Sequence, residues 1–289
     1  MSIVAMGPFS VRMPKAYIKA RVKQAESLYF RRFHRFTPDD VAHALSTLDI
    51  VPGDCVFVHS AYDAFRGFSG KPSDVIQVLK QAVGPAGALM MPTMPFTGTA
   101  VDYIRSRPIF DVRRTPSRMG LLTEVFRRSP GVLRSVHPTH PVAVWGKSAP
   151  ELVAGHHLAA TPCGRGTPFM RLLEQRGKIV FLGTGIEVMT FYHALEETLE
   201  DRLPFSPFTS EAFRLESRDC GGNLLVTTTR LFEPSVSRRR NLGKVVRELQ
   251  RKEQWRQERA GSLSLIAFDA ADVRTAVSEM AERGIYCYD

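Results

Sequence analysis

The sequence predicts an α/β fold, a single domain with a mixed, largely parallel central sheet flanked by helices. Apolar runs such as residues 179–182 are continuous rather than alternating, which is typical of strands covered on both faces. Strands and helices alternate along the chain, and this order favours parallel crossover connections. A length of 289 residues, 44% hydrophobic and 24% charged, suits one large globular domain.

The first predicted elements lie between residues 37 and 116. Thr37, followed by a proline and two aspartates, begins a helix that ends near residue 48. Residues 55–58 form a buried strand, a helix begins within residues 71–74 and ends near residue 83, and residues 88–91 form the next strand. Residues 92–116 are polar and contain prolines, so we expect a long loop over a site.

The remaining elements follow from the same signals. Helices are predicted over residues 117–128, 151–157 and 169–175, and strands over 142–145 and 178–183. A loop over 184–189 leads to a short helix over 190–197. Beyond residue 203 we predict strands over 213–216, 224–231 and 263–268, a charged helix over 238–259, and a last helix from Asp269 to Gly284.

Positive charge is concentrated in an N-terminal arm, residues 1–36, which precedes the domain predicted over residues 37–289. The arm holds eight lysines and arginines against one acid, Glu26, and so carries seven of the ten net positive charges. Residues 14–36 form a basic, amphipathic pattern that could pack on the domain, on a second copy in a homo-oligomer, or on an anionic membrane surface. No nucleic-acid-binding motif accompanies the arm, so we expect no nucleic-acid partner.

Several classes of protein are disfavoured by composition. No apolar run reaches the roughly 18 residues that span a bilayer, and the N-terminus lacks a signal-peptide core, so we expect a cytoplasmic protein, either free or peripheral at the inner membrane surface through its arm. The four cysteines are scattered and form no zinc spacing, and the histidines lack helical pairing. The sequence therefore predicts no metal site.

A histidine and two carboxylates follow the buried strand over residues 178–183. On a helix, residues three apart are neighbours, so Thr190, His193 and Glu196 share a face, with Glu197 beside it. Histidine is the commonest general base, and a carboxylate in contact fixes its tautomer. The spacing suits a base and its orienting acid, although a solvated helix face with Thr190 as the N-cap has the same spacing.

Five ordered segments together resemble the aminoglycoside 3-N-acetyltransferase family. Its enzymes depend on coenzyme A, and their fold is distinct from the commoner acetyltransferase fold. The segments are Val-His-Ser at 58–60, Met-Pro-Thr at 91–93, Arg-Ser-Val-His-Pro-Thr-His at 134–140, Pro-Cys-Gly-Arg-Gly-Thr-Pro at 162–168 and Thr-x-x-His-x-x-Glu at 190–196. Each segment is weak alone, and the ordered set is fairly specific. The resemblance implies an antibiotic N-acetyltransferase-like fold and acetyl-CoA as co-substrate.

The resemblance also implies a set of coenzyme A contacts. Hydroxyls that follow neighbouring strands can meet a ligand, glycines permit close backbone approach, and basic side chains can complement phosphates. Turn caps, turn formers and solvated arginines would account for the same residues. The candidate contacts are His59, Ser60, Thr93, Arg134, His137, Gly164, Gly166 and Thr167.

The implied reaction is direct acetyl transfer, in which His193 removes a proton from the acceptor amine and Glu196 orients the imidazole. A hydroxyl or backbone N–H near Ser60 or Thr190 would stabilise the developing oxyanion. Glu197 is an alternative orienter and His140 a second candidate on the acceptor side. A rival ping-pong reaction would acetylate the thiolate of Cys163 first, although a structural role suits this residue better.

Two positions depart from the family pattern and leave the acceptor open. Ala61 and Pro141 each stand where serine is common. Aminoglycosides are polycations and call for an acidic cleft, whereas this chain is net positive even without its arm. We therefore expect a less cationic amine, such as an amino sugar, free or linked to a nucleotide or a lipid. The alternatives are an aminoglycoside acceptor, a non-catalytic acyl-CoA-binding protein and a membrane-docked scaffold.

Overall fold

A seven-stranded mixed sheet forms the centre of the computed structural model, which describes Arg21, Gln24, Glu26, Tyr29, Phe30 and residues 32–289. The strands, in chain order, are β1 (Cys55–Ser60), β2 (Ala88–Pro92), β3 (Phe110–Asp111), β4 (Leu133–Arg134), β5 (Val142–Gly146), β6 (Lys178–Leu182), β7 (Phe208–Arg218), β8 (Leu224–Phe232), β9 (Arg256–Ala260) and β10 (Leu263–Asp269). The central sheet has the order β4-β5-β2-β1-β6-β10-β9.

Parallel pairing is confined to the three central strands. β1 pairs in parallel with both β2 and β6, so the carboxyl ends of these strands meet at one edge of the sheet. β5 and β10 join on either side in the antiparallel direction, as do β4 and β9 at the margins. The predicted mixed α/β sheet is confirmed, with antiparallel strands contributing more of it than expected.

Helices cover the sheet and connect its strands. They are α1 (Pro38–Thr47), α2 (Pro72–Val83), α3 (Ala100–Ile104), α4 (Leu121–Arg127), α5 (Ala149–Val153), α6 (Pro168–Glu174), α7 (Tyr192–Thr198), α8 (Pro234–Ser237), α9 (Gly243–Arg251) and α10 (Ala270–Glu282). The predicted start of α1 is confirmed by a capping box, in which the Asp40 amide donates to Thr37 Oγ1 (3.2 Å) and the Thr37 amide donates to Asp40 Oδ2 (2.7 Å). Gly284, with φ of 71°, follows α10 as predicted.

The core lies on both faces of the central strands. On β1, Phe57 belongs to one buried cluster, whereas Val56 and Val58 belong to another on the opposite face. The side chain of His59 is on the Phe57 face, and its ring stacks on Phe181 of β6 with 5.1 Å between centroids. Burial on two faces explains the continuous apolar runs that predicted these strands.

A second, three-stranded sheet has the order β3-β7-β8. β7 and β8 form a long antiparallel hairpin, and β3 pairs with the end of β7 in the parallel direction. β3 and α3 both lie within residues 92–116, which the sequence predicted as a loop. Part of the segment nevertheless lies near the carboxyl ends of the parallel strands, where Met94 lines a cavity.

The prediction of one continuous helix over residues 238–259 is wrong. Its middle is α9, but its end is β9, an edge strand that pairs with β10. Glu253, with φ of 57°, breaks the helix between them. Charged residues suit an exposed helix face and an exposed sheet edge equally, so composition alone misled the assignment. The helix predicted over 151–157 is likewise interrupted, because Gly155 adopts φ of 66°.

The predicted arm lies largely outside the described residues, so its docking on the domain, a second copy or a membrane stays a prediction. Its described end is anchored, since Phe36 is buried and forms a β-bridge with Phe68. Within the described part of the chain, no helix has the length and apolar character needed to cross a membrane.

Candidate active site

A cavity of about 370 Å³ opens at the carboxyl ends of β1, β2 and β6. This is the edge at which open α/β sheets bind ligands. Apolar side chains form most of its wall, and hydroxyls, two imidazoles and two charged groups complete it. The lining residues are His59, Ser60, Ala61, Pro92, Met94, Met119, Thr123, Thr184, Glu187, Val188, Met189, Thr190, His193, Arg240 and Leu242.

The turn after β6 brings His193 to this cavity. Gly183 follows the strand with φ of 68°, and a Cβ there would lie 2.3 Å from the Cβ of Ala64, so only glycine fits. A short 3-10 helix, Ile186–Val188, then leads to α7. Thr190 lies just before α7, where its carbonyl accepts a hydrogen bond from the His193 amide (3.1 Å), and it lines the cavity.

His193 and Glu196 form a closely coupled pair. His193 Nδ1 lies 2.7 Å from Glu196 Oε2, and the Glu196 side chain is fully buried. The other carboxylate oxygen, Oε1, accepts from Arg240 Nε (2.7 Å) and from the hydroxyl of Tyr288. Because Glu196 engages Nδ1, the second ring nitrogen of His193, Nε2, carries the lone pair on the cavity side.

The charges in this network assign protonation states. Burial opposes ionisation of Glu196, but the hydrogen bond from His193 and the charge of Arg240 outweigh it and hold the carboxyl pKa below its usual value. Burial and the charge of Arg240 lower the pKa of His193, although Glu196 opposes the shift. At neutral pH the pair is therefore a neutral imidazole that donates to a carboxylate.

Phe232, at the end of β8, fixes the plane of the imidazole. Its ring stacks on His193 with 4.2 Å between centroids and an interplanar angle of 26°. The guanidinium of Arg240 lies 5.6 Å from the same ring centroid, which places Phe232 in contact with both polar groups. His140 approaches edge-on, with 6.1 Å between its ring centroid and that of His193.

The strand-end candidates lie at different depths. Ser60 lines the cavity, and so does His59, whose pKa burial lowers to about 3, so that its imidazole is neutral. His59 Nε2 is buried without a hydrogen-bond partner in the described structure. Thr93 is fully buried instead, and its hydroxyl donates to the carbonyl of Pro141 (2.9 Å).

Arg134 and His137 do not face the cavity. Arg134 is buried and donates to the carbonyls of Thr93 (2.6 Å), Thr115 (2.6 Å) and Val112 (3.3 Å). These bonds leave it unavailable to a phosphate, so its role in this structure is to tie loop segments together. His137 is buried against His156, and its Nδ1 accepts from the His140 amide (3.1 Å).

The glycine-containing loop over residues 162–168 is held by Glu197. The carboxylate of Glu197 accepts from the hydroxyl of Thr161 and the amide of Cys163, so it points away from His193. A Cβ on Gly164 would lie 1.8 Å from Glu197 Oε2, which explains the glycine there.

The other candidates in this loop are also outside the cavity wall. Thr167 is buried and its hydroxyl donates to the Gly164 carbonyl (2.6 Å), whereas Gly166 has φ of 76° and open space around it. Burial raises the pKa of the Cys163 thiol well above its usual value. A buried thiol outside the cavity does not favour the ping-pong alternative.

Sequence reasoning missed Arg240 and Tyr288, which complete the shell around Glu196. Arg240 lies in the segment predicted as a regular helix, and Tyr288 is the penultimate residue. No local pattern links either residue to His193. Among the residues that the structure describes, no group of three or more potential metal ligands is gathered in one place.

The chain resembles proteins of one family over most of its length. Residues 57–282 match the family model described as aminoglycoside 3-N-acetyltransferase. Aminoglycoside N(3)-acetyltransferase IX of Micromonospora chalcea is 29% identical over an alignment of 179 residues that covers 57% of this chain and 63% of that protein. Aminoglycoside N(3)-acetyltransferase VII of Streptomyces paromomycinus is 31% identical over 169 residues, 54% and 58% of the two chains. The matched segments thus span somewhat less than two thirds of these relatives.

Solved structures extend the similarity to nearly the whole fold. The aminoglycoside acetyltransferase AAC(3)-Xa superposes with a TM-score of 0.75 at 27% identity and covers 90% of this chain and 98% of its own. AAC-IIIb, in a binary complex with CoASH, superposes with a TM-score of 0.73 at 23% identity, covering 88% and 98%. The second likeness concerns the fold alone.

Proposed function

Because the chain belongs to the aminoglycoside 3-N-acetyltransferase family, we propose that it transfers an acetyl group from acetyl-CoA to the amine of a small acceptor, with His193 as general base. The observation that carries the proposal is the His193–Glu196 pair at the cavity wall, with Nδ1 held by the carboxylate and Nε2 on the cavity side. A neutral imidazole so oriented is ready to accept a proton.

The reaction follows from this arrangement. Nε2 of His193 takes a proton from the neutral acceptor amine as the nitrogen lone pair attacks the thioester carbonyl carbon, and the imidazolium later passes this proton to the leaving thiolate. The carbon–nitrogen bond forms, the carbon–sulfur bond breaks, and the thiolate leaves with the electron pair. Glu196 stabilises the imidazolium that forms, as the carboxylate of a catalytic triad does. Hydroxyls of Ser60 and Thr190, both at the cavity, are the candidate donors to the developing oxyanion.

The cavity suits the narrow arm and thioester of acetyl-CoA. A volume of about 370 Å³ lies within the usual range for small-molecule sites, and its apolar wall with a few hydroxyls matches an amide-containing alkyl chain. The phosphates of coenzyme A require other cations, since the guanidinium of Arg134 donates to backbone carbonyls. Arg113, Arg114 and Arg118 are exposed just before the cavity residue Met119, and we propose that they face the nucleotide end.

For the acceptor we propose an amino sugar with few positive charges. Among the described residues that line the cavity, Glu187 is the one acid and Arg240 the one fixed cation, so the wall offers little net negative charge. A polycation would gain little from such a wall. The named relatives act on aminoglycosides, themselves amino sugars, and these compounds are the alternative acceptors.

The test is thiol release from acetyl-CoA with sisomicin, gentamicin, glucosamine and a nucleotide-linked amino sugar. We expect turnover with at least one amine and a loss of about 10²–10⁴-fold in kcat for His193→Ala. His43→Ala removes an exposed histidine of α1 and serves as the matched control. Full activity of His193→Ala would refute the base assignment. Acetyl-CoA binding without turnover of any amine would favour the non-catalytic alternative.

A further inference from the structure

The C-terminal tail reaches the candidate active site from behind. Tyr288 is buried, and its hydroxyl donates to Glu196 Oε1. His193 lines the cavity, whereas Tyr288 and Glu196 are absent from its wall. It therefore touches the carboxylate without being placed to touch a substrate.

We propose that Tyr288 is a positioning residue that holds Glu196, and through it His193, in the orientation that acetyl transfer requires. The inference deepens the proposed function, since it concerns the proposed base and its orienter. It rests on the contacts of one carboxylate and on how the tail that supplies the phenol is fixed.

The first step concerns the two oxygens of Glu196. Arg240 Nε and the Tyr288 hydroxyl both donate to Oε1, which leaves Oε2 for His193 Nδ1. A carboxylate with two donors on one oxygen cannot rotate about its last bond without breaking both hydrogen bonds. Without the phenol, Arg240 alone would hold Oε1, and its Nη2 is already buried without a partner in the described structure.

The second step concerns the tail itself, which is anchored by its backbone. Arg240 and Tyr288 form an antiparallel β-bridge, with the Asn241 amide donating to the Cys287 carbonyl and the Asp289 amide donating to the Arg239 carbonyl, both at 2.9 Å. Lys244 Nζ donates to the carbonyls of Tyr286 (3.0 Å) and Tyr288 (2.5 Å). The segment that carries Arg240 thus also fixes Tyr288.

A substitution at Tyr288 should change the pKa of His193. Loss of the phenol leaves the negative charge of Glu196 less dispersed, so the carboxylate favours the imidazolium more strongly. The groups that face the pair are Arg240 from the segment before α9, His140 from the loop before β5, and Tyr288 with Cys287 from the tail. Tyr192 faces Cys287 and Glu196 from α7.

The experiment compares Tyr288→Phe with Tyr286→Phe in the full chain. Tyr286 is the matched control, because its hydroxyl anchors the same tail by donating to the carbonyl of Arg202 (2.7 Å), away from Glu196. The first readout is the pH titration of the His193 ring resonance in a ¹³C-histidine-labelled protein, assigned with His193→Gln. The second is the pH profile of thiol release with the best acceptor of the panel.

In Tyr288→Phe we expect the pKa of His193 to rise by about half a unit to one unit and kcat to fall about tenfold, with KM for acetyl-CoA unchanged. Tyr286→Phe should match the wild type in both readouts. Equal titrations in all three proteins, with similar losses in Tm for both variants, would show that Tyr288 is merely structural and overturn the proposal.

The pKa of His193 can be measured even if no amine is acetylated. Failure of the proposed function and failure of this inference are therefore distinguishable. Where Tyr288→Phe does not fold, replacement of Tyr288 by 3-fluorotyrosine keeps the ring and strengthens the phenol as a donor. The pKa of His193 should then fall below that of the wild type. An unchanged or raised pKa would count against the positioning role.

Discussion

Replacing Glu196 by glutamine tests the central geometry with the smallest change in shape. The amide offers one acceptor oxygen where the carboxylate offered two, so its orientation decides the outcome. If its NH₂ faced Arg240 Nε, two donors would meet and the hydrogen bond from the charged guanidinium would be lost, at about 1.5–3 kcal/mol. The oxygen should therefore remain on Arg240 and Tyr288, with the NH₂ toward His193.

That orientation changes the tautomer of His193. With an amide donor at Nδ1, His193 must accept there and carry its proton on Nε2, which removes the lone pair from the cavity side. Loss of the correct tautomer in a serine-protease triad lowers kcat by about 10⁴-fold, equivalent to about 5.5 kcal/mol. We expect a decrease of about 10³–10⁴-fold in Glu196→Gln, with KM for acetyl-CoA nearly unchanged because Glu196 does not line the cavity.

The assay is steady-state thiol release, with ¹⁵N chemical shifts of His193 reporting the tautomer and thermal unfolding reporting the fold. Glu197→Gln is the matched control, since Glu197 is adjacent but contacts Thr161 and Cys163 rather than His193. A folded Glu196→Gln protein that retains more than about a tenth of kcat would refute the reasoning, and so would an unchanged tautomer.

Four further outcomes are expected. The rate should rise with pH along an acid limb below about 6.5, because the pKa of His193 is lowered and the base must be neutral; a limb above 7.5 in the pH profile would contradict this. Burial raises the pKa of Glu197 to about 7, so ionisation of Glu197 lowers the free energy of unfolding as pH rises from about 4.5 to 7. Glu197→Gln removes this loss, and urea unfolding should show it up to about 3 kcal/mol more stable than the wild type by pH 8. Arg134→Met should lose about 3–5 kcal/mol of unfolding free energy by removing buried hydrogen bonds, with little change in KM for acetyl-CoA in the folded fraction; normal stability with raised KM would restore a phosphate role. Gly164→Ala should lose at least about 2 kcal/mol in the same assay, against about 1 kcal/mol for Gly166→Ala, which has open space but a positive φ; equal losses would show that Glu197 yields freely.

Local signals in the sequence predicted the parts of this structure that depend on local geometry. The capping box at Thr37 and the three-residue spacing of His193 and Glu196 are fixed within one helical turn, and both are present as predicted. The central strands could also be predicted, because strands buried on both faces have continuous apolar sequences.

Long-range partners left no comparable signal. Arg240 lies 44 residues from Glu196 and Tyr288 lies 92 residues from it, so only the tertiary fold shows that all three meet. Arg134 misled in the same way, since an arginine beside a histidine-rich motif has the same appearance whether it binds phosphate or carbonyls. The edge strand β9 was mistaken for helix because exposed elements of either kind tolerate charge.

Glu196 and Glu197 show how strongly surroundings decide the chemistry of one residue type. Successive helix positions point about 100° apart, so one carboxylate meets His193 and Arg240 while its neighbour meets the Thr161 hydroxyl and the Cys163 amide. Burial opposes ionisation of both, but Glu196 also contacts His193 and Arg240, so its pKa is lowered, whereas that of Glu197, which lies near both Arg230 and Glu200, is raised. Ionisation of Glu196 thus depends on His193 and Arg240 together, and Arg240 lies outside the five segments that carry the family resemblance.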